Sequence, residues 1–366
     1  MKQNEALISY LLNHFSMHES RATLMVALIF SYIKVGSVQQ FKAAQGIKTK
    51  AKVNSITRRI QRFFAEQLLC LDKAAVLIFQ FFAWEEKIVF TLDRTNWQFG
   101  KIDINILTLA AIYKGYSIPL CWALLPHKGN SNISDRVTII ERLLAFVPLE
   151  RIECLLADRE FIGREWFHYL HSQGVKFCIR IKENTLVFSA RKNRQIKLRK
   201  FLRYLSAGQV REMETVIHGM ALYLSCTRIG TGELLILATD HKRADSFEIY
   251  SQRWTIETMF KSLKSLGFNF EDTHQKDLDR VAKIMLLLAI GYAWSIRVGD
   301  IKSNIKPIAI KNHKRPEFSL FSYGFRVIQT ILLRDFNNVT KLVQLIVAIV
   351  LNTPLSKRLK NVTVVY

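Results

Sequence analysis

With 366 residues, 49% of them hydrophobic and 11% aromatic, the chain carries enough apolar surface for two or three packed domains, which excludes disorder as its general state. A formal charge of +23 and a pI near 9.9 argue against an ordinary enzyme of small metabolites and for a polyanionic partner, nucleic acid ahead of anionic membrane. Five cysteines, Cys70, Cys121, Cys154, Cys178 and Cys226, lie in apolar segments without CxxC spacing and exclude a disulfide framework, reading instead as reduced core residues.

Residues 1–82 read as helical. Leu7, Tyr10, Leu11 and Phe15 form one stripe, a second apolar run covers 24–35, and Gly36 with Ser37 marks a break. Lys42, Lys48, Lys50 and Lys52 lead into a helix over 54–64, on which Arg58, Arg59 and Arg62 face away from Ile56, Ile60 and Phe63. Short helices ending in a basic one suit either a helix-turn-helix-like DNA-binding unit or a basic helical cap. His14 and His18 make an HxxxH pair with no glutamate after the first and no third ligand nearby, so they read as surface residues rather than zinc ligands.

At Lys87 the periodicity becomes that of strands. Residues 87–93 stop on Asp93, followed by turn formers over 94–100; the apolar runs 104–113 and 116–125, joined by Lys114 and Gly115, read as a hairpin. A helix over 132–147 is capped by Ser134 or Asp135, a strand over 151–158 ends on Asp158, and a helix over 163–172 leads to a strand over 175–181. The order is strand, strand, strand, helix, strand, helix, strand, with carboxylates leaving the first and fourth strands at a sheet rim, where ligands bind in open α/β folds. Residues 183–244 have a different, basic and β-rich character and read as an insertion outside the first sheet; the run over 191–200 suits a solvated loop or a DNA-backbone contact. After Gly267 the chain is helical again over 278–298, 321–333 and 339–351, with a basic surface loop over 302–316.

The apolar runs 24–33, 284–296 and 342–351 fall short of the roughly 18–20 residues that span a bilayer, and each reads as a buried helix. The N-terminus shows no basic start, apolar block and small-residue cleavage site, so a cytoplasmic protein, on the nucleoid when bound to DNA, is expected.

The stretch over 250–267 carries the densest chemistry. Tyr250, Arg253, Glu257, Lys261 and Lys264 follow each other at steps of three or four, so on one continuous helix all five share an accessible side. Ile256, Met259, Phe260, Leu263 and Leu266 line the opposite side, and Gly267 suits a left-handed helix end. Trp97 and Trp254 flank the motifs and read as buried aromatics supporting them.

Tyr250-x2-Arg253-x3-Glu257-x6-Lys264 has the spacing of the YREK signature, and with DRTNW around Asp93 and ADREF around Asp158 the chain resembles the insertion-sequence-four family of DDE transposases over roughly residues 87–270. The resemblance implies an α/β fold with an RNase H-like core over 83–182 and 245–270 and a β-rich insertion over 183–244; the periodicity adds helical regions over 1–82, read as a DNA-binding domain, and over 271–366. It implies that Asp93, Asp158 and Glu257 are catalytic and bind two Mg²⁺ ions, for which Mn²⁺ can substitute, and that Tyr250, Arg253, Lys264 and Lys261 hold DNA phosphates. The implied activity is nicking of double-stranded DNA at terminal inverted repeats followed by strand transfer to target DNA, often through a hairpin. A homodimer in a synaptic complex is expected, with the C-terminal helices as one candidate contact and completion of the core as their other reading. A nuclease without strand transfer, or a non-catalytic DNA-binding repressor, are the alternatives.

Overall fold

The computed structural model describes residues 5–189, 193–312, 314–334 and 336–351. Arg191 and Lys192 of the basic run, and residues 352–366 of the C-terminal region, lie outside the described residues. Five helices open the chain: α1 (Glu5–Phe15), α2 (Glu19–Val35), α3 (Gln40–Gly46), α4 (Val53–Glu66) and α5 (Leu71–Gln80). Gly36 ends α2 as the sequence suggests: at φ 63° it takes the left-handed conformation and donates its N–H to Tyr32 O. The histidine pair is structural, since His18 caps α2 and His14 Nε2 meets Lys73 O at 2.7 Å.

The sheet begins with β1 (Ile88–Phe99), β2 (Ile102–Tyr113) and β3 (Tyr116–Leu124). The β2–β3 hairpin turns on Lys114 and Gly115, both at positive φ, as the two-residue connection requires. Strand β1 does not stop at Asp93. It continues six residues further, in antiparallel register with β2 from Asp93↔Thr108 to Phe99↔Ile102, because β2 supplies backbone partners that outweigh the turn propensity of Asn96.

Helix α6 (Ile133–Leu144) is capped by Asn132 rather than by Ser134 or Asp135; Asp135 is its reciprocal partner in a capping box. Then come β4 (Ile152–Ala157), α7 (Arg164–Ser172) and β5 (Phe177–Arg180), with β4 parallel to both β1 and β5.

The expected insertion is only partly separate. β6 (Leu186–Ser189) and β7 (Arg194–Lys197) form a sheet of their own, followed by the short helix α8 (Leu198–Phe201). However, β8 (Val210–Ile217), β9 (Met220–Arg228) and β10 (Leu234–Thr239) extend the main sheet, whose order is β3-β2-β1-β4-β5-β10-β9-β8. The apolar strand β10 pairs antiparallel with β5, which buries it more completely than an isolated hairpin would.

The stretch read as one continuous helix is three pieces: α9 (Ser246–Ser251), α10 (Trp254–Lys261) after a break at Gln252 and Arg253, and a π-helical turn over Ser262–Leu266. Gly267 is not left-handed, having φ −145°; a Cβ there would lie 2.7 Å from Phe321 Cζ, so close packing accounts for the glycine. Leu266, expected inside, is exposed.

Helices α11 (Leu278–Ser303), α12 (Leu320–Arg334) and α13 (Phe336–Val350) close the chain. By length and composition α11 could cross a membrane, contrary to the expectation that no apolar run is long enough. It packs against α2, α4, α5, α12, α13 and β3, and 94% of its apolar window is buried, as suits the central helix of a packed core. One continuous apolar cluster runs from Leu7 to Val350, so the N- and C-terminal helices share a core. Lys283 Nζ donating to Phe64 O and Gln329 Nε2 to Ile33 O tie them together. On the other sheet face a smaller cluster of Cys154, Leu156, Cys178 and Leu237 is covered by Ile249 and Tyr250 of α9.

Candidate active site

Parallel pairing of β1 with β4 ends at Leu92↔Ala157, and the next residue of each strand is an aspartate. Asp93 therefore sits in the middle of β1 but at the end of its ladder with β4, while Asp158 opens the turn after β4, where Phe161 N donates to its carbonyl. Helix α10 packs on β1 and β3 and brings Glu257 to the same place.

Two of the three acids are linked by one guanidinium. Arg253, 8% exposed, donates through Nη1 to Asp93 Oδ2 at 3.2 Å and through Nη2 to Glu257 Oε1. Burial pushes the Asp93 carboxyl up to about 6, against the backbone N–H of Arg94 and the charge of Arg253, with Asp158 and Glu257 adding to the rise. Asp158 is thus electrostatically part of the site; its Oδ1 accepts the backbone N–H of Arg159. Burial works against the charge on Arg253, but Tyr250, Glu257 and Asp93 outweigh it and hold the guanidinium above its ordinary range. Among the described residues no three His, Cys, Asp or Glu side chains are gathered as a metal-holding group. The structure brings Asp93 and Glu257 onto Arg253 and leaves Asp158 beside them, short of a shared three-carboxylate cage.

The expected accessible stripe divides at the break before α10. Tyr250 and Arg253 are buried, and burial raises the Tyr250 phenol, keeping its proton on. Lys261 faces solvent from the last turn of α10. Lys264, on the π-helical turn, is fixed by Asn96 O at 3.1 Å and Glu271 at 2.7 Å, over the ring of Trp97. That anchoring uses the part of β1 read as a turn. Trp97 packs on Phe270 as a supporting aromatic, but Trp254 is 63% exposed, because the break turns it away from the core.

The sequence reading missed the groups around the aspartates. Arg94 grips Glu160 side-on, Nε to Oε1 at 2.9 Å and Nη2 to Oε2 at 3.2 Å, and donates through Nη1 to Asn105 Oδ1 at 3.0 Å. Arg136 Nη2 donates to Glu160 O at 3.2 Å. The signal was present: Arg94 follows Asp93 and Glu160 stands two residues after Asp158, two charges of opposite sign next to the two aspartates.

A mixed sheet with acids where its central parallel pairing stops, and a third acid on a helix laid across it, has the architecture of an RNase H-like α/β core flanked by helices. Residues 84–294, more than half of the chain, match the family described as transposase DDE domain, and the chain belongs to that family, whose members are enzymes acting on DNA with divalent metal ions. The fold is similar to that of a chain in a cryo-EM structure of a piggyBac transposase synaptic complex with hairpin DNA, with a TM-score of 0.50 and 10% identity over 94% of this chain and 76% of that one. At that identity the likeness is one of fold. No curated protein matches the sequence.

Proposed function

We propose that this DDE transposase is of the insertion-sequence-four kind, with Tyr250, Arg253, Glu257 and Lys264 as its YREK residues. It nicks double-stranded DNA at terminal inverted repeats and transfers the freed strand to target DNA. The observation that supports this best is the Arg253 guanidinium, which reaches Asp93 across 160 positions of sequence and Glu257 one turn along its own helix, beside Asp158.

In this reading Asp93, Asp158 and Glu257 hold divalent cations. The donors fit: they are carboxylate oxygens, which suit Mg²⁺ or Mn²⁺, and a cation would offset the solvation that burial takes from the Asp93 charge. Divalent ions held by Asp93, Asp158 and Glu257 would supply charge neutralisation for an in-line phosphodiester displacement. Arg253 then exchanges carboxylates for a substrate phosphate, a group its planar fork matches equally well. Tyr250, kept protonated by burial, donates a hydrogen bond to the same backbone. Lys264, held in place by Asn96 and Glu271, and Lys261, free to reach outward, add positive charge along the strand.

Helices of residues 1–82 contribute a DNA-binding surface through α4, whose Arg58, Arg59 and Arg62 face solvent. The units of the chain are the core over 83–182 and 245–270, the β-rich segment over 183–244, and helical regions over 1–82 and 271–366. Two copies hold two ends in a synaptic complex. Helices α12 and α13 turn their apolar faces to α1, α2 and α11, so completing the core is their first role.

The test is nicking of end-bearing DNA, with ends taken from the inverted repeats flanking the gene. Cleavage should require Mg²⁺ or Mn²⁺ and fall at least 10³-fold in Glu257→Ala. Wild-type nicking by that variant would sink the assignment. Joining of pre-cut ends to target DNA separates a transposase from a nuclease.

A further inference from the structure

We propose that Arg94 and Glu160 are positioning residues of the acid site: their ion pair fixes the separation of Asp93 and Asp158, and through it the affinity of the pair for divalent cations. The inference rests on reading the two aspartates as a cation site. The ladder between β1 and β4 has Leu92↔Ala157 as its last residue pair, one residue before each aspartate, so the aspartates and the residues after them are not themselves ladder partners. Beyond that point the two segments are cross-linked by Arg94, the residue after Asp93, and Glu160, two residues after Asp158.

The pair is built to hold a distance. Both guanidinium–carboxylate bonds are made, at 2.9 and 3.2 Å, in the parallel fork that gives arginine its geometric specificity. The side chains are 15% and 19% exposed, so solvent competes with the pair far less than at an open surface. Each partner is itself braced. Arg94 Nη1 donates to Asn105 Oδ1, and Asn105 Nδ2 donates to the carbonyls of His127 and Gly129, each at 3.0 Å. The Glu160 carbonyl accepts from Arg136, whose guanidinium lies 5.1 Å over Phe161 and whose Nε donates to Ser131 Oγ at 2.9 Å. Because both Glu160 oxygens accept from Arg94, Glu160 serves as an orienting group rather than as a fourth cation ligand.

The experiment measures Mn²⁺ affinity of the full chain by the EPR signal of free Mn²⁺, with and without duplex DNA, beside the melting temperature. Glu160→Gln keeps the shape but loses the charge, and Arg94→Lys keeps the charge but loses the fork. Each is expected to weaken Mn²⁺ binding about 10-fold or more while melting within a few degrees of wild type. The double variant should bind no worse than the weaker single variant, since either change breaks the same link. Wild-type affinity in both single variants, with Asp158→Asn clearly weakened, overturns the proposal alone; so does a double variant whose losses add. A wild-type chain that binds no Mn²⁺ under either condition, or an Asp158→Asn variant that binds it as tightly as wild type, overturns the reading of the aspartates and the proposal with it.

Discussion

Arg253 supplies positive charge to Asp93 and Glu257 from a buried position between the two carboxylates, the role that cations would take over in the proposed metal site. If Asp93 and Glu257 hold a divalent ion, as proposed, the ion would have to displace that guanidinium, and Arg253 would both compete with metal and, once moved, be available to a phosphate. Arg253→Gln is accordingly expected to raise Mn²⁺ affinity in the absence of DNA while lowering nicking by about 10²–10³-fold, the usual cost of losing one transition-state donor. Equal or weaker Mn²⁺ binding in the variant would show that the guanidinium is no competitor. Asp93 yields a pH prediction. Its folded carboxyl titrates near 6, above the unfolded value near 3.8, so its contribution to stability is present below about pH 4 and is lost as pH rises through 6. Without metal, Asp93→Asn should therefore melt higher than wild type at pH 7, by an amount on the order of 2 kcal/mol, and nearly with it at pH 4. A melting difference that does not change between those pH values would contradict the burial of charge at Asp93. The nearness of Asp93, Asp158 and Glu257 to one another was legible from strand ends and motif spacing, whereas the burial of Tyr250 and Arg253 was not. A helical wheel assumes an unbroken helix, and the break at Gln252 and Arg253 turns the first two residues of the stripe inward.

Whole elements were legible wherever local periodicity and tertiary pairing agree. The β2–β3 hairpin, α6, β4, α7 and β5 fall close to their expected positions because their apolar residues repeat at the period of the element that forms. Residues 94–99, and the joining of β8 to β10 to the main sheet, were misread for one reason: each is decided by partners distant in sequence, which a local pattern does not carry. Helix packing shows the same dependence on distant partners. At the α11–α12 crossing Gly299 and Gly324 face each other, and a Cβ on Gly324 would run into the carbonyl of Ser295 and lie 2.5 Å from the nitrogen of Gly299. Because the obstacle is backbone on a neighbouring helix, no side-chain rotation relieves it. Gly324→Ala should destabilise the fold by about 3 kcal/mol despite the better helix propensity of alanine, read as a lower denaturation midpoint. A neutral effect would mean that the two helices separate readily, and with them the shared core of the chain's two ends.

At the scale of the molecule the formal charge of +23 needs a partner, and α4 is a place where the fold concentrates it. Ile56, Ile60, Phe63 and Phe64 anchor α4 in the core, which leaves Arg58, Arg59 and Arg62 on the outside. Arg59 and Arg62 line a pocket of about 190 Å³ with Ser20, Leu24 and Arg21, and Arg21 is already paired with Glu66 at 2.6 Å. If these arginines meet DNA phosphates, each contact releases counterions and contributes close to 0.9 to the slope of log K against log salt. Changing all three to alanine should therefore flatten that slope by about 2–3 and weaken binding to every duplex alike, with the melting temperature unchanged because the buried face is untouched. Base reading predicts a different result. Discrimination between an end sequence and random duplex would then collapse, by about 1–3 kcal/mol per lost bidentate contact, while much of the salt slope survived. Measuring both duplexes across a salt series decides between the two roles, and an unchanged slope with unchanged discrimination would remove α4 from the DNA interface.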